Sequence, residues 1–366
     1  MSLFWVIVQF VIAFGLLLFF HEFGHFIASR SLGIEVEEFG FGLPPRMVKL
    51  FTWKGTDFTL NWIPLGGFNK IKGEDDPNIP GGMAAANPWK RIPVLLAGVT
   101  MNLLTAVLVY TLLFSQYGIP DTHSTMIMSV SPASPAEQAG LKVNDVIVSA
   151  DGIKVGGNTT QLISIAHNFG GKPLPLVILR DKQELNITVT PRASFPANQG
   201  PIGIAISNPY LKATSWFETV PVSFSAAGSD IQNLLALPGR MIAGTISPQE
   251  AQIGGPRSIW NLFQQSVARD VSSRQPTSSG TPQTPTNYTL LVIISLTITV
   301  GVVNLLPIPA LDGWRIFTTL VEIILRRPIP AKYQTAINSV GFLVLLILLG
   351  FFYIKDLINP ITFTLP

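Results

Sequence analysis

Long apolar segments constrain the fold of this 366-residue chain more than any other feature of its sequence. A helix needs about 20 predominantly apolar residues to cross a bilayer, with a range of roughly 17 to 25. Composition agrees, because 48% of the residues are hydrophobic and only 12% are charged, whereas soluble domains carry about 25% charged residues. We expect a polytopic α-helical membrane protein with about four transmembrane helices, at residues 3–20 (continuing as helix to residue 26), 92–114, 290–306 and 340–354.

Residue types that are missing or scarce exclude several classes of function. The chain has no cysteine, which excludes disulfides, thiolate metal sites and a cysteine nucleophile. The formal net charge of +3 is small and scattered, so we expect no nucleic-acid partner. No Lys or Arg precedes the first apolar segment and no small-residue cleavage site follows it. We therefore expect that segment to be retained as a span rather than removed as a signal peptide.

Basic residues near the apolar segments predict the orientation. Arg30 follows the first segment, Lys90 and Arg91 precede the second, and four more basic residues lie between the third and fourth. Such residues favour the cytoplasmic side. We expect a multi-pass protein of the cell (inner) membrane, in contact with membrane lipid, with both termini and residues 115–289 outside the cytoplasm.

The connections between the spans divide into regions of different character. After the first transmembrane helix with its flanks (1–33), residues 34–91 contain alternating stretches such as "DFTLNWI". This pattern predicts a cytoplasmic-side β-hairpin or re-entrant region, shielded by protein where it enters the membrane. The second transmembrane helix follows at 92–114.

Residues 115–207 are predicted to form an extracytoplasmic α/β domain inserted between the second and third spans. A helix should start at Ser134–Pro135 and stop at Gly140, followed by a strand and an Asp-Gly turn at 151–152. The segment "GPIGIAI" at 200–206 then supplies a final strand. This stretch resembles a PDZ domain, and the resemblance implies a peptide ligand added to a sheet edge. A folded spacer without a ligand is the alternative.

The remaining regions complete the predicted domain order. Within 208–270 we expect an amphipathic helix over 215–237, lying on the outer membrane surface. Residues 271–289 are polar and rich in Pro, Ser and Thr, which is typical of a flexible linker. The third transmembrane helix and the motif after it take 290–315, a cytoplasmic connection takes 316–335, and the fourth transmembrane helix with its tail takes 336–366.

The letters "HEFGH" at 21–25 place ionisable groups at the end of the first apolar segment. His21 and His25 lie on one face of a helix, and Glu22 points about 100° away from His21. This is the spacing of two zinc ligands and a general base. Ionisable groups at membrane depth cost free energy and usually mark function. The alternative is a hydrogen-bonded cluster that only braces helices. Gly24 leaves room on the same turn for close approach of another chain.

A catalytic zinc site usually has three protein ligands and a water. His123 and His167 belong to the outer domain, on the far side of the membrane, and are expected to be surface residues. A carboxylate is therefore needed as the third ligand.

The stretch "NLLPIPALDGWR" at 304–315 supplies that carboxylate. Pro307 and Pro309 break the third helix, and an Asp-Gly turn at Asp312–Gly313 can then aim the carboxylate back toward the histidines. A surface Asp-Gly turn without a ligand role is the alternative.

Together, H-E-F-G-H and N-x-x-P-x-P-x-L-D-G resemble the site-2 protease family of intramembrane zinc metalloproteases. The "IPLGGFNKIKGE" loop and the PDZ-like insert resemble the bacterial branch of that family. The resemblance implies Zn²⁺ bound by His21, His25 and Asp312, with Glu22 as the catalytic base.

Two asparagines complete the sites that the resemblance implies. Asn304 matches a family asparagine that contacts the substrate backbone; its alternative is a hydrogen bond to a neighbouring helix. Asn102 matches the asparagine of a second motif and is assigned to substrate binding with it. The chain departs from that motif at Val99, where the family often has proline, so the role of this turn is open.

The function implied is an intramembrane zinc endopeptidase. It would hydrolyse a peptide bond within or near the transmembrane segment of a single-span membrane protein, in regulated intramembrane proteolysis such as that of an anti-sigma factor. The PDZ-like domain would act as a size filter or bind the end left by an earlier cut. The alternatives are a catalytically silent zinc-containing scaffold that binds peptides and, last, a cation transporter. A transporter would need ionisable residues along several spans, whereas here they cluster at one end.

Overall fold

A computed structural model describes residues 2–74, 76–195, 200–213, 215–243, 254–273 and 287–359. The chain divides into two compact units, one of Met1–Leu113 with Val220–Pro366 and one of Phe114–Thr219. Each unit is described by itself.

The described residues form nine helices and ten strands. The helices are α1 Leu3–Ser31, α2 Pro88–Tyr117, α3 Pro135–Gln138, α4 Thr159–Asn168, α5 Trp216–Ile242, α6 Pro256–Ser273, α7 Tyr288–Val303, α8 Asp312–Leu325 and α9 Ala331–Ile358. The strands are β1 Val36–Trp53, β2 Thr56–Ile71, β3 Ile119–Pro120, β4 Thr125–Val130, β5 Val146–Ala150, β6 Ile153–Lys154, β7 Leu174–Arg180, β8 Gln183–Val189, β9 Ile204–Ser207 and β10 Tyr210–Leu211.

Three of these helices are long and apolar enough to cross a membrane: α1, α2 and, in α9, Lys332–Ile358. The third predicted span corresponds to α7, an apolar helix of 16 residues, so the count of four stays a prediction. The helices extend past the apolar segments seen in the sequence. Helix α9, for example, begins at residue 331 rather than 340, because hydropathy marks the apolar centre of a helix and not its polar ends.

The predicted β-hairpin region is present between α1 and α2. Strands β1 and β2 pair antiparallel, and Phe39 has partners on both sides, Asn69 and Phe58. The two long strands thus fold back on themselves into a small sheet. Phe39 is 1% exposed and packs in one core with Phe26 and Val94. This core joins the sheet to α1 and α2.

Two glycines of β2 set how closely the sheet packs on α1. A Cβ atom on Gly66 would lie 2.6 Å from the Cβ of Leu18, and one on Gly67 would lie 3.2 Å from the Cβ of Glu22. Because real Cβ atoms almost never come as close as 3.0 Å to another group, only glycine fits at Gly66. The sheet therefore lies directly against the face of α1 that carries Glu22.

The second unit is built on a six-stranded sheet of order β8-β7-β5-β4-β9, with β6 paired to β5. Its details match the sequence predictions. Ser134 caps α3 by accepting a hydrogen bond from the Glu137 amide, and the left-handed residues Asp151 and Gly152 turn β5 into β6. The segment 200–206 leads into β9 as predicted. Strand β9 lies at one edge of the sheet.

The segments between the second unit and α7 are more helical than the sequence suggested. The amphipathic helix predicted at 215–237 is present as α5. Helix α6 was not predicted; its Phe263 and Val267 pack against Val6 of α1 and Val292 of α7. The predicted linker 271–289 falls for the most part on 274–286, outside the described residues.

Two aspartates join α6 to its neighbours end to end. Asp356 of α9 accepts hydrogen bonds from the backbone amide (3.0 Å) and the hydroxyl of Ser258, in the first turn of α6. Asp270 of α6 in turn accepts from the amides of Tyr288 (2.7 Å) and Thr289 (3.0 Å), at the start of α7. Each carboxylate satisfies backbone amides that a helix start leaves without an intrahelical partner.

Candidate metal centre

Helix α1 presents His21 and His25 on the same face, as their spacing predicts. The two imidazoles are 6% and 7% exposed, and their Nε2 atoms lie 3.2 Å apart. Because the two nitrogens are buried and this close together, one ion could bind to both of them.

Two glycines allow α2 to pack against this face of α1. A Cβ on Gly24 of α1 would collide with the carbonyl oxygen of Ala97 and lie 3.0 Å from the Cβ of Met101, so the room predicted at Gly24 is taken by a helix of the same chain. A Cβ on Gly98 of α2 would collide with Nε2 of His25 and lie 2.8 Å from Cε1 of His21. Helix α2 thus forms one wall of the histidine site.

An irregular segment between α7 and α8 positions Asp312. Helix α7 ends at Val303, and Ala310 adopts a left-handed conformation with φ of 78°, which is uncommon for a residue with a Cβ. The Gly313 amide donates to the Asn304 carbonyl (2.7 Å) and closes the segment on itself. A Cβ at Gly313 would collide with the carbonyl group of Leu305.

One detail predicted for this segment was wrong. Asp312 and Gly313 do not form a turn but are the first residues of α8. The first turn of a helix favours a carboxylate, because its backbone amides are unpaired and the helix dipole is positive there. The unwound part is 304–311, and it delivers Asp312 to the histidines as expected.

The three predicted metal ligands meet at one point. Oδ2 of Asp312 lies 3.1 Å from Nε2 of His21 and 3.2 Å from Nε2 of His25. The three donor atoms therefore form a nearly equilateral triangle. A tetrahedral site with bonds of about 2.0–2.1 Å has edges of about 3.3 Å, so the triangle fits one face of a zinc coordination shell. His21, His25 and Asp312 form the only such group found in the described part of the chain.

Hydrogen bonds on the far side of each ring hold the histidines in place. Nδ1 of His25 donates to the Val94 carbonyl (2.8 Å), which leaves the Nε2 lone pair free for a metal. Nδ1 of His21 lies 3.2 Å from the Asn102 amide. The Asn102 oxygen has no hydrogen-bond partner among the described residues. An amide turned over would pair this oxygen with the Nδ1 hydrogen of His21.

A polar cavity of about 150 Å³ opens beside the ligands. Glu22, His25 and Asp312 line it together with residues of β2, α2 and α8. Glu74 and Arg315, which form an ion pair, lie in the same wall. Glu22 is thus on the cavity side of the triad, one helical position from His21, where it can receive a proton from a water bound in the cavity.

Four other residues were considered from the sequence: two histidines expected to lie outside the site and two asparagines expected to bind the substrate. His123 and His167 are exposed residues of the second unit, outside the triad as expected. Nδ2 of Asn304 lies 3.4 Å from Nε2 of His21. Asn102 is fully buried against the His21 ring. Substrate contact by Asn304 and Asn102 stays a prediction.

Three contributions to the site were not predicted from the sequence. They are the close contact of Gly98, the carbonyl of Val94 and the side chain of Asn69 in the cavity wall. A glycine in the interior of a long helix is costly and usually has a packing reason. A close contact at Gly98 could therefore have been predicted from the sequence. The role of the Val94 carbonyl could not have been predicted, because every residue has a backbone carbonyl.

Two buried histidines and a glutamate on a helix of membrane-spanning length, completed by a partly buried aspartate, define a metal-dependent hydrolase of the membrane. The comparisons with known proteins agree with this class. The chain belongs to peptidase family M50, whose model matches residues 9–348.

Relatives of similar length extend the match. A protein of Clostridium perfringens is 32% identical over 96% of this chain and 98% of its own length. One of Campylobacter jejuni is 30% identical over 95% and 92%, and one of a Nostoc species is 30% identical over 93% and 92%. The names of all three describe zinc metalloproteases. The protein is thus a zinc metalloprotease with membrane helices.

Proposed function

We propose that the protein is an endopeptidase that cuts single-span membrane proteins within or near their transmembrane segment. The observation that carries the proposal is the place of the zinc triad. His21 lies 18 residues after the start of α1, or about 27 Å along the helix at 1.5 Å per residue. Ionisable residues at such depth serve function far more often than packing. A site at this depth is suited to a substrate that is itself in the membrane.

The side chains of the site have distinct roles in this reaction. Zinc, when bound, would supply a water of lowered pKa and a positive charge that polarises the scissile carbonyl. His21, His25 and Asp312 would hold the ion, while Glu22 would take a proton from a water in the cavity and later deliver it to the departing amine. Asn304 lies at the edge of the triad and holds a freed backbone group of the substrate.

A substrate helix must unwind before it can be cut, because its carbonyls are otherwise hydrogen-bonded within the helix. The sheet of β1 and β2 offers the help expected from sequence. It lies directly on α1 beside Glu22, through Gly66 and Gly67, and strand edges pair readily with an extended peptide. In this proposal the substrate is drawn out as a strand next to the metal.

The orientation proposed from the basic residues puts the site near the cytoplasmic face of the inner membrane. Both termini and the second unit then lie on the opposite side. Many large apolar side chains on α9 are exposed, among them Leu343, Ile347 and Phe351, as expected for a helix surrounded by lipid. A cut near the cytoplasmic face would release the cytoplasmic part of a substrate such as an anti-sigma factor.

A groove in the second unit supports a peptide ligand of the PDZ-like type. Its volume is about 360 Å³, and it is lined by Leu162, Ile163, Ala166 and His167 of α4 and by residues 200–206 before and within β9. Because β9 is an edge strand, a peptide in the groove can extend the sheet. The end left by an earlier cut is the ligand that we propose.

Purified protein in lipid vesicles, loaded with zinc and mixed with a single-span reporter, tests the proposal. We expect cleavage within or near the reporter's span, located by mass spectrometry of both products. Glu22→Gln should lower the rate of cleavage by about 10²- to 10⁴-fold while the bound zinc stays at one per chain. Intact reporter with the zinc-loaded wild type, or equal cleavage by Glu22→Gln, would instead favour the silent scaffold.

A further inference from the structure

We propose that Asn69 binds the backbone of the extended substrate, using both atoms of its side-chain amide, and is a further substrate-binding residue of this peptidase. The inference rests on the proposed function, since it assumes that a substrate is drawn out beside Glu22. It adds a residue that neither the zinc-binding motifs nor their resemblance to a family singles out.

The position of Asn69 follows from the alternation of side chains along β2. In a strand, residues i, i+2 and i+4 face the same side, so Gly67, Asn69 and Ile71 share a face. Gly67 on that face is the close neighbour of Glu22. Ile71 is 6% exposed and packs in the core of α1, α2 and the sheet. Asn69 therefore faces the active-site helix rather than solvent.

The wall of the cavity beside the metal ligands includes Asn69. Asn69 lines the same 150 Å³ space as Glu22, His25 and Asp312. Gly67 contributes no side chain between Asn69 and Glu22. Asn69 and Glu22 therefore belong to the wall of one cavity.

The amide of Asn69 is not used within the described part of the protein. Both its Nδ2 and its Oδ1 are inaccessible to solvent and have no hydrogen-bond partner among the described residues. A buried amide without a partner destabilises the folded state. For comparison, Asn61 of the same strand β2 donates through Nδ2 to the Gly42 carbonyl at 2.9 Å, and only its Oδ1 has no partner among the described residues. A polar side chain kept at a cost to stability, beside the reacting groups, is typical of a functional site.

The chemistry of the free amide matches one kind of ligand closely. An asparagine side chain offers one acceptor and two donors in a plane. A residue in an extended backbone offers one N–H and one C=O on the same side, at the complementary spacing. A helical substrate cannot make this pair, because its N–H and C=O groups point in opposite directions along the axis. Asn69 therefore selects the unwound form of the substrate.

The test uses synthetic single-span peptides in lipid vesicles, each with one backbone amide near the cut replaced by an ester. An ester keeps a carbonyl but lacks the N–H. With the wild type, we expect the ester at one position to lower kcat/KM about tenfold, which corresponds to one lost hydrogen bond. Asn69→Leu, which is similar in size, should lower kcat/KM of the all-amide peptide by about 10- to 100-fold, and the same ester should then cost nothing further.

Stability and metal content separate this role from a structural one. Asn69→Leu should keep one zinc per chain and an unchanged or higher melting temperature, since it removes an unpaired polar group. Asn69→Ala serves as a second variant if leucine does not fit. Asn61→Leu is the matched control: it should lower the melting temperature and leave the ester pattern of the wild type unchanged.

Two results would overturn the assignment. One is an Asn69→Leu or Asn69→Ala protein that cleaves the all-amide peptide at the wild-type rate. The other is a variant that loses activity yet responds to every ester as the wild type does, as expected if the amide holds only water. Failure of the proposed function itself looks different, because the wild type would then leave the all-amide peptide intact.

Discussion

Nε2 of His21 and Oδ2 of Asp312 lie 3.1 Å apart although 291 positions separate the two residues in the chain. The contact joins α1 to the first residue of α8, two helices that are far apart in the sequence. It exists because the segment after α7 is unwound and folded back, with the Gly313 amide bonded to the Asn304 carbonyl. The metal centre therefore holds α1, near the start of the chain, against the beginning of α8.

Replacing the general base should separate chemistry from metal binding. Glu22→Gln keeps the size of the side chain but cannot take a proton, so we expect kcat to fall by about 10²- to 10⁴-fold. Zinc content, measured by atomic emission, should stay near one per chain. His25→Ala, by contrast, should lose both zinc and activity, because it removes one of three protein ligands. Retention of full activity by Glu22→Gln would assign the base elsewhere.

Gly98→Ala should disrupt the zinc site from the neighbouring helix. The new methyl group would occupy the position of His25 Nε2, so the imidazole must move or the helices must separate. We expect zinc affinity to fall at least tenfold and activity to fall with it. Gly228→Ala is the control, because Gly228 lies in α5 with nothing within 4 Å of an added Cβ. Normal zinc binding by Gly98→Ala would show that the two helices pack less closely than described.

Asn102 should tune the metal site through His21. Asn102→Leu keeps the volume but leaves Nδ1 of His21 without its contact, and loss of such an outer partner typically costs 10- to 100-fold in metal affinity or activity. Competition with a zinc chelator measures the affinity. Asn186→Leu, at an exposed position of β8, should change nothing. If Asn102 acts mainly on the substrate, KM will rise while zinc affinity stays constant.

The metal ligands could be predicted from the sequence, but the packing contacts around them could not. His21, Glu22, His25 and Asp312 could be predicted because their chemistry requires particular residue types at particular spacings. The contact of Gly98 with His25 could not, because it depends on the register between two helices, which pairwise packing decides. The same holds for Asn69: alternation along β2 gives its face, but only the fold places that face against α1.

The buried ion pair of Arg91 and Glu322 should be essential for stability. It joins the first turns of α2 to α8, and Glu322 also accepts from the Ile329 amide at 2.9 Å and from Gln334 at 3.0 Å. Removing one member of such a pair leaves a buried charge and costs about 3–5 kcal/mol. We expect Glu322→Leu to lower the melting temperature in detergent strongly.

A double replacement provides the control for that pair. Arg91→Met combined with Glu322→Leu removes both charges, and the loss should be smaller than for Glu322→Leu alone. Equal melting temperatures for the single variant and the wild type would mean that Arg91 finds another partner or water.

The small sheet should lose stability in acid through Glu38. The Arg46 guanidinium, which donates to this carboxylate, holds the pKa of Glu38 below its ordinary value, and the Thr59 hydroxyl adds to the effect. A lowered pKa in the folded state means that the contribution is present above the unfolded value of 4.5 and is lost as the pH falls through the folded pKa.

Tryptophan fluorescence during thermal unfolding can follow this change, since Trp53 and Trp62 belong to the sheet. Below about pH 4.5 the melting temperature should fall more for the wild type than for Glu38→Gln, which has no carboxylate to protonate. If the melting temperatures of the two proteins fall equally with pH, Glu38 does not cause the loss of stability in acid.

The last helix has a property that reaches beyond the catalytic site. Lys332–Ile358 would measure about 40 Å as a straight helix, longer than the roughly 30 Å of hydrocarbon in an average bilayer. No part of its apolar window is buried, while Gln334 near one end bonds Glu322 and Asp356 near the other caps α6. Contacts at the two ends of α9, rather than packing along its length, therefore hold this helix to the rest of the first unit, and lipid can cover the apolar part between them.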